Sequence, residues 1–491
     1  MRRHFGKAQG GINVIRESDF YIWIKQHYAD ATFNGKPKSI KNVVKHSDKA
    51  TADSLFVCIR GIGADGHDYA KIAYQNGCRT FLCERELSLP QDACTVLVRD
   101  VRDGLFKMLS DFYKISEGDF EFCAVTGTKG KTTTAMMLMH LLNKHGYKAA
   151  CSTTLGLCVG SEIWETENTT PDLFVIVPWL SRLKKQGIRY VVIEVSSAAL
   201  SGERLRGMRF DIGVLTSFSE DHVGVGEHES LEDYLAAKRS LFSSYGIKMA
   251  IFPREVSVGK YIVRESSCVI GIPSDEEEIS CVTEREQGQC FIYKGREVLL
   301  SLPGRHNRTN ARLALTAAAI LTGKSEKEFI SHLSDLFIPG RYEQLAKNGI
   351  SIVIDYAHNQ ESFFAVAKTA KRRSRGRVLA VFGSVGERGE GRRQALAHAA
   401  DTLFDYSVIT ADNPGCEDAF HICAEIYAAF SDKSHACIVA DREHAIRHAF
   451  SLCEKGDTLL LLGKGHEGYQ KTKNGCIPFS ERSILFSDPG V

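Results

Sequence analysis

The stretch Thr126-Gly127-Thr128-Lys129-Gly130-Lys131-Thr132-Thr133 constrains this chain more than any other. It follows the apolar run Phe122–Thr126 and precedes Thr132–Asn143, which reads as a helix. A glycine-bearing turn between strand and helix aims successive backbone N–H groups, and the positive end of the helix, at one point that suits phosphate oxygens. In such a loop Lys131 reaches the β- and γ-phosphates and the Thr132 hydroxyl sits on Mg²⁺. The strict pattern has glycine five positions before Gly130, where this chain has Val125. The bland alternative is a plain strand–helix turn, and Gly-Lys-Thr-Thr in this setting argues against it.

The 491 residues suggest about three domains. Short apolar strands between Leu55 and Asp100 make a first block. From Phe120 the pattern becomes strand then helix, with Tyr190–Val195 and Ile212–Phe218 as buried strands. From Ser351 it repeats through Ile352–Tyr356, Val378–Phe382, Tyr406–Thr410, Cys437–Ala440 and Thr458–Leu462. Near-continuous apolar strands separated by helices predict an α/β protein with parallel sheets covered on both faces. Ligands then bind beyond the carboxyl ends of the strands. In the last block those ends carry Asp355–Asn359, Gly383–Arg388, Asp412–Gly415, Asp441-Arg442 and Gly463–Glu467, which suggests one shared site. The run Asp275–Glu278 reads as a solvated loop, and Lys371–Arg377 as a helix C-terminus entering a turn.

Lys+Arg 62 against Asp+Glu 60 gives a formal charge of +2, which offers no basic stripe for nucleic acid. No run approaches the ~20 apolar residues of a membrane span, and no secretory segment follows Met1. Fifteen scattered cysteines without a C-x-x-C pair read as thiols in a reducing compartment, so a cytoplasmic location is expected.

A phosphate-bound Mg²⁺ needs hard oxygen partners, and Glu194 at a strand end can meet the loop. Taken singly, Glu194 is as readily a cap, His222 more readily structural, and Lys238 a surface lysine.

Together these residues resemble the ATP-dependent Mur ligase family of cell-wall synthesis, most closely its MurE branch. The resemblance rests on Gly127–Thr133, Asn168–Pro171, Glu194–Ser197, Tyr234–Lys238, Asn307–Ala311, Pro339–Arg341, Asp355–His358, Asp412–Pro414, Gly463–Glu467 and Tyr469-Gln470, in family order from about residue 45 to 470. It implies a uridine-nucleotide domain (1–118), a central P-loop ATP domain (119–338) and a C-terminal Rossmann-like amino-acid domain (339–491). It implies ATP contacts at Gly127, Thr128, Lys129, Gly130, Lys131, Thr132, Thr133, Asn310, Arg341 and Asp355. Magnesium would meet Thr132, Glu194 and His222, joined by Lys238 as an N-carboxylated lysine whose carbamate oxygens replace a repelling ammonium. Lys131, Glu194, His222 and Lys238 form the catalytic set. Ser47, Thr169, Thr170, Ser196 and Arg204 would hold the UDP-N-acetylmuramoyl-dipeptide. Arg393, Asp412, Asn413, Gly463 and Glu467 would hold the incoming amino acid. The reaction implied is amide formation through an acyl phosphate, by a monomer.

Family members that add meso-diaminopimelate resemble one another at Asp-Asn-Pro-Arg, whose arginine clamps the second carboxylate. This chain reads Asp412-Asn413-Pro414-Gly415. Losing a bidentate charge-assisted contact costs on the order of 2–3 kcal/mol, roughly 30–100-fold. L-lysine is therefore favoured, then L-ornithine, with Glu417 and Asp418 as further acids toward an ammonium. A second departure is His46-Ser47-Asp48 where the family commonly has Asp-Ser-Arg, so that Ser47 alone matches. Gly386-Glu387-Arg388-Gly389 also replaces a more acidic family version, for which there is no physical account. The competing readings are the same ligase using meso-diaminopimelate through a neighbouring arginine, a folylpolyglutamate synthetase-like ligase, and an inactive ATP-binding scaffold.

Overall fold

The computed structural model describes residues 2–4, 14–61, 63–219, 228–386 and 390–486. By its contacts the chain forms two compact units. One holds residues 1–221, 232–274 and 312–326, and the other holds 222–231, 275–311 and 327–491.

The first unit contains two sheets. Among the described residues the smaller has the order Thr32–Asn34, Cys94–Leu97, Thr80–Cys83, Ser54–Val57, Asn42–Val44. Its inner strands are parallel, and Ser54–Val57 and Thr80–Cys83 are buried along their whole length. The larger has nine strands in the order Arg2–His4, Glu162–Glu165, Gly156–Val159, Ala149–Thr153, Tyr190–Glu194, Glu121–Thr126, Ile212–Leu215, Met249–Pro253, Cys268–Ile272. Glu121–Thr126 runs parallel to both neighbours. Chain order reverses around it, which is the switch point where a crevice opens beyond the strand ends. The edge strand Arg2–His4 pairs in parallel with Glu162–Glu165 and so joins the larger sheet, away from the rest of the 1–118 span.

The helix Lys131–Lys144 is buried along most of its length, through Met136, Met137, Leu138, Leu141 and Leu142, and its polar ends Lys131, Asn143 and Lys144 reach outward.

In the second unit a six-stranded sheet has the order Glu343–Lys347, Ile350–Asp355, Thr458–Leu462, Val378–Phe382, Tyr406–Ile409, Ala436–Ile438. All its pairs are parallel except the first. That first pair is a hairpin closed by Asn348-Gly349, at φ 54° and 78°. Two successive left-handed residues make the type I′ turn, and Asn-Gly is its preferred sequence. A separate antiparallel sheet of Ile279–Glu284, Gln289–Tyr293 and Arg296–Leu300 lies in the same unit.

The acidic run departs from the solvated loop expected of it. Asp275–Glu278 is a short helix in which Asp275 is buried against Arg308 Nε at 2.8 Å and Glu276 meets Arg305. Lys371–Arg377 does close a helix, which ends at Arg373. No helix among the described residues is long and apolar enough to cross a membrane.

Candidate active site

At the end of strand Glu121–Thr126 the chain turns through Gly127 at φ 145° and Gly130 at φ 81°, the latter capping the next helix. A Cβ on Gly127 would stand 2.1 Å from Thr216 Oγ1 and 2.9 Å from Ser217 N, so only glycine fits. Neighbouring strand residues hold the loop open. Thr128 N donates to Ser217 O at 3.0 Å and Lys129 N to Ser217 Oγ at 2.8 Å. Lys131 Nζ donates to the Gly127 and Thr128 carbonyls at 2.9 Å each, folding an ammonium over the loop's mouth. Val125 lies in the strand, paired with Glu194. The departure from the strict motif therefore falls on a buried strand residue, upstream of the turn.

Thr132 Oγ1 donates to Glu194 Oε2 at 2.9 Å. Glu194 is the buried last residue of Tyr190–Glu194. The sequence pattern missed Thr154, whose N–H donates to Glu194 Oε2 at 3.0 Å and whose hydroxyl donates to Oε1 at 3.2 Å. It follows the strand Ala149–Thr153, so the strand-end rule applied to that run would have found it. A hydroxyl and a carboxylate are hard oxygen donors, and Mg²⁺ takes few protein ligands beside phosphates and water. This donor set fits Mg²⁺. Among the described residues no group of three His, Cys, Asp or Glu side chains gathers around a point. His222 lies outside the described residues.

Lys238 is 1% exposed, and its Nζ donates to Gly127 O at 2.9 Å, 4.3 Å from the ring centre of Tyr234. Tyr234, four residues earlier on the same helical face, shares a 2.9 Å hydrogen bond with Thr128 Oγ1. An otherwise ordinary helical lysine is thus brought against the phosphate loop.

A second recess, of about 550 Å³, lies between the two sheets of the first unit. Ser47 and Arg204 line it, with Lys45, His46, Arg102 and Asp172. Lys45 pairs with Asp172, which also caps the helix Leu173–Lys185. Burial and the flanking Lys45 and Lys49 push the His46 imidazole below its ordinary value, so it is neutral at pH 7. Arg204 Nη1 donates to Thr170 O at 3.2 Å. Thr170 Oγ1 donates to Glu194 O at 2.8 Å and accepts from Ser196 N at 3.0 Å. Thr169 Oγ1 accepts from Thr154 Oγ1 at 3.3 Å. This hydroxyl chain leads from the recess to Glu194. Thr169, Thr170, Ser196 and Arg204 are therefore brought together, with Ser47 on the recess wall.

In the second unit Asp412 and Gly463 lie side by side, a Cβ on Gly463 falling 2.8 Å from Asp412 Oδ2. Lys464 is completely buried. Its Nζ donates to Asn413 Oδ1 at 2.8 Å and Glu467 Oε2 at 2.6 Å, with Asp412 Oδ1 at 3.9 Å. Asn413 Nδ2 donates to Glu467 Oε2 at 2.9 Å. Burial pushes the Asp412 carboxyl above the usual carboxylate range, against the pull of Arg442 and Lys464. Gln470 Nε2 holds Asp412 O at 2.8 Å, and Gly415, at φ 61°, donates its N–H to Lys471 O at 3.2 Å.

Arg393 is buried beside two glutamates. Its two terminal nitrogens fork onto Glu417 at 2.8 and 2.7 Å, and one also meets Glu425 at 2.7 Å. The Arg393 Nε is buried with no hydrogen-bond partner among the described residues. Asp418 caps the helix Ala419–Ala428. Asp355 accepts from Tyr342 N at 2.7 Å and Ala357 N at 2.8 Å, while burial raises its carboxyl. The Arg341 guanidinium lies 4.7 Å from the ring centre of Tyr356. Asn310 is buried on the helix Arg305–Thr322, its Nδ2 donating to Asn307 Oδ1 at 3.2 Å.

Comparison with known proteins agrees with this geometry. Residues 125–318 match the Mur ligase middle domain, and residues 340–465 match the Mur ligase, glutamate ligase domain. The chain is 30% identical over 489 residues to the UDP-N-acetylmuramoyl-L-alanyl-D-glutamate--2,6-diaminopimelate ligase of Clostridium botulinum, covering 96% of this chain and 98% of that protein. It is 32% identical over 469 residues to the protein of the same name from Caldanaerobacter subterraneus, covering 92% and 95%. A solved structure of a ligase of that name superposes with a TM-score of 0.63 at 25% identity, over 91% of this chain and 94% of the other. A folylpolyglutamate synthase of Mycobacterium tuberculosis shares the fold at TM-score 0.60 and 17% identity, over only 73% of this chain. With full-length relatives above 30% identity and both domain profiles matched in order around an intact phosphate loop, this chain belongs to the Mur ligase family, as an ATP-dependent ligase of the MurE type.

Proposed function

We propose that the protein joins a diamino acid, L-lysine before L-ornithine, to UDP-N-acetylmuramoyl-L-alanyl-D-glutamate in the cytoplasm. ATP is consumed and peptidoglycan precursor is the product. The observation that carries the amino-acid choice is the Asp412–Gly415 loop. Position 415 has no side chain to receive a second carboxylate, while Asp412 and Glu467 flank the pocket, with Lys464 bonded to Glu467 and both Lys464 and Arg442 acting on Asp412. A glycine at 415 leaves a second carboxylate without a partner there, which supports a substrate that lacks one.

In this reading residues 1–118 hold the nucleotide in the recess lined by Ser47 and Arg204. Residues 119–338 hold ATP on Gly127–Thr133, with Asn310, Arg341 and Asp355 as further ATP contacts. Residues 339–491 hold the amino acid through Arg393, Asp412, Asn413, Gly463 and Glu467. Magnesium would meet Thr132, Glu194 and His222, and would neutralise phosphate charge. Lys238 as a carbamate would offer oxygens on the same side of the loop.

A carboxylate oxygen of the peptide attacks the γ-phosphorus, the β–γ bridging P–O bond breaks and ADP leaves. The amino-acid nitrogen then attacks the acyl carbon, loses its proton, and inorganic phosphate departs as the amide forms. Lys131 supplies positive charge to the phosphates, and the N–H groups of the loop orient them.

Each amino acid offered separately with UDP-MurNAc-L-Ala-D-Glu, ATP and Mg²⁺ tests the reading. Lysine should be consumed with phosphate release, and diaminopimelate roughly 30-fold or more slower. Faster turnover with diaminopimelate, the substrate named for the relatives above, would overturn the lysine assignment and leave the ligase reading intact. A scaffold without activity would release no phosphate with any amino acid.

A further inference from the structure

We propose that Arg442, anchored by Glu481, is a positioning residue for the amino-acid pocket, so that the C-terminal helix Glu481–Phe486 helps set substrate geometry. The inference rests on reading the loops after Ile409 and Leu462 as that pocket. Asp441-Arg442 stands at a strand end, yet its two residues do different things. Asp441 caps the helix Arg442–Leu452 from an exposed position, while the Arg442 side chain is fully buried.

The guanidinium reaches the carbonyls immediately before two pocket residues. Nη1 donates to Ala411 O at 3.3 Å, next to Asp412, and Nη2 donates to Leu462 O at 2.7 Å, next to Gly463. The strands leading into these loops, Tyr406–Ile409 and Thr458–Leu462, are not neighbours, because Val378–Phe382 lies between them. Arg442 therefore ties together two strand ends that no ladder hydrogen bond joins. The closeness of Asp412 and Gly463 is what it fixes.

Glu481 holds Arg442 in turn, Oε1 accepting from Nε at 3.1 Å and from Nη2 at 2.6 Å. Its other oxygen, Oε2, is buried with no hydrogen-bond partner among the described residues. A fully buried ion pair with an unsatisfied oxygen is a poor device for stability alone, since apolar residues of similar volume often do as well or better. Arginine supplies what they cannot, namely several donors in one rigid plane that serve two carbonyls and a carboxylate together.

The test compares Arg442→Lys and the double variant Arg442→Met/Glu481→Leu with the parent, by steady-state kinetics and thermal melting on the full chain. The double variant replaces the pair by apolar bulk and so separates packing from hydrogen bonding. Both variants should raise the KM for the amino acid about tenfold or more, with the KM values for ATP and the nucleotide within twofold. The double variant should melt near the parent. An unchanged amino-acid KM in a folded variant, or equal rises for all three substrates, would overturn the proposal. So would failure of both variants to fold, which would make the pair a keystone of the unit and no more. Asp412→Asn serves as the control. If it leaves the amino-acid KM unmoved, the pocket is elsewhere and the reading beneath the proposal has failed. If it raises that KM and the Arg442 variants do not, only the positioning role has failed.

Discussion

The 2.9 Å contact between Thr132 and Glu194 is the smallest unit of the site that can be tested alone. Thr132→Ala removes one of two hard oxygen donors without disturbing the loop's N–H groups. Turnover should fall about 100-fold, and the Mg²⁺ concentration for half-maximal rate should rise, measured by phosphate release across a Mg²⁺ titration. Asp412 gives a pH prediction of definite sign. Burial raises its folded-state value above the unfolded one, so the native protein holds this proton more tightly. The group therefore costs stability once pH climbs through its raised value, and the cost vanishes below the ordinary aspartate range. Asp412→Asn should melt at or above the parent temperature at pH 7, lose that advantage near pH 4, and use its amino acid poorly at both. Melting scans at the two pH values check this. Lys131, Thr132 and Glu194 were legible in the sequence because motif and strand end are local signals. Thr154 and Lys464 stand at strand ends, which marks their neighbourhood, but their partners Glu194 and Asn413 lie 40 and 51 residues away and only the fold identifies them.

Turns carry as much of the function as side chains do. Gly127→Ala would place a methyl 2.1 Å from Thr216 Oγ1 at a φ of 145°. It should abolish ATP binding, read by calorimetry, and lower stability by roughly 1–3 kcal/mol. The Asn348-Gly349 hairpin signal was passed over by a reading of apolar runs alone, while the strands of the third block lie within a few residues of their expected spans. The acidic run was misread, because its helix depends on Arg308 on a later element, and a run of like charge looks solvated until its partner is placed. Arg393 shows the same dependence on distant partners, since its two glutamates, Glu417 and Glu425, lie 24 and 32 residues away.

Across the whole first unit the two sheets are joined by charge as well as by apolar packing. Arg206 meets Asp100 and Glu203 at 3.1 Å each, and also Asp103. These groups are about a third to two-thirds exposed, so Arg206→Ala should cost only about 0.5–1 kcal/mol in melting experiments. Its larger effect should be a severalfold weaker affinity for a uridine diphosphate nucleotide, since the recess lies between the sheets so joined. The presence of three α/β blocks was readable from strand runs. The pairing that welds their edges was not, because Arg2–His4 gives no strand signal of its own and finds its place only against Glu162–Glu165. That small ladder has a practical outcome. The first block of the chain is stitched to the larger sheet at its beginning as well as at its end. A protease nick near residue 116 would leave the piece held by this ladder, by Arg206 and by the shared apolar core, so a single cut should not release it.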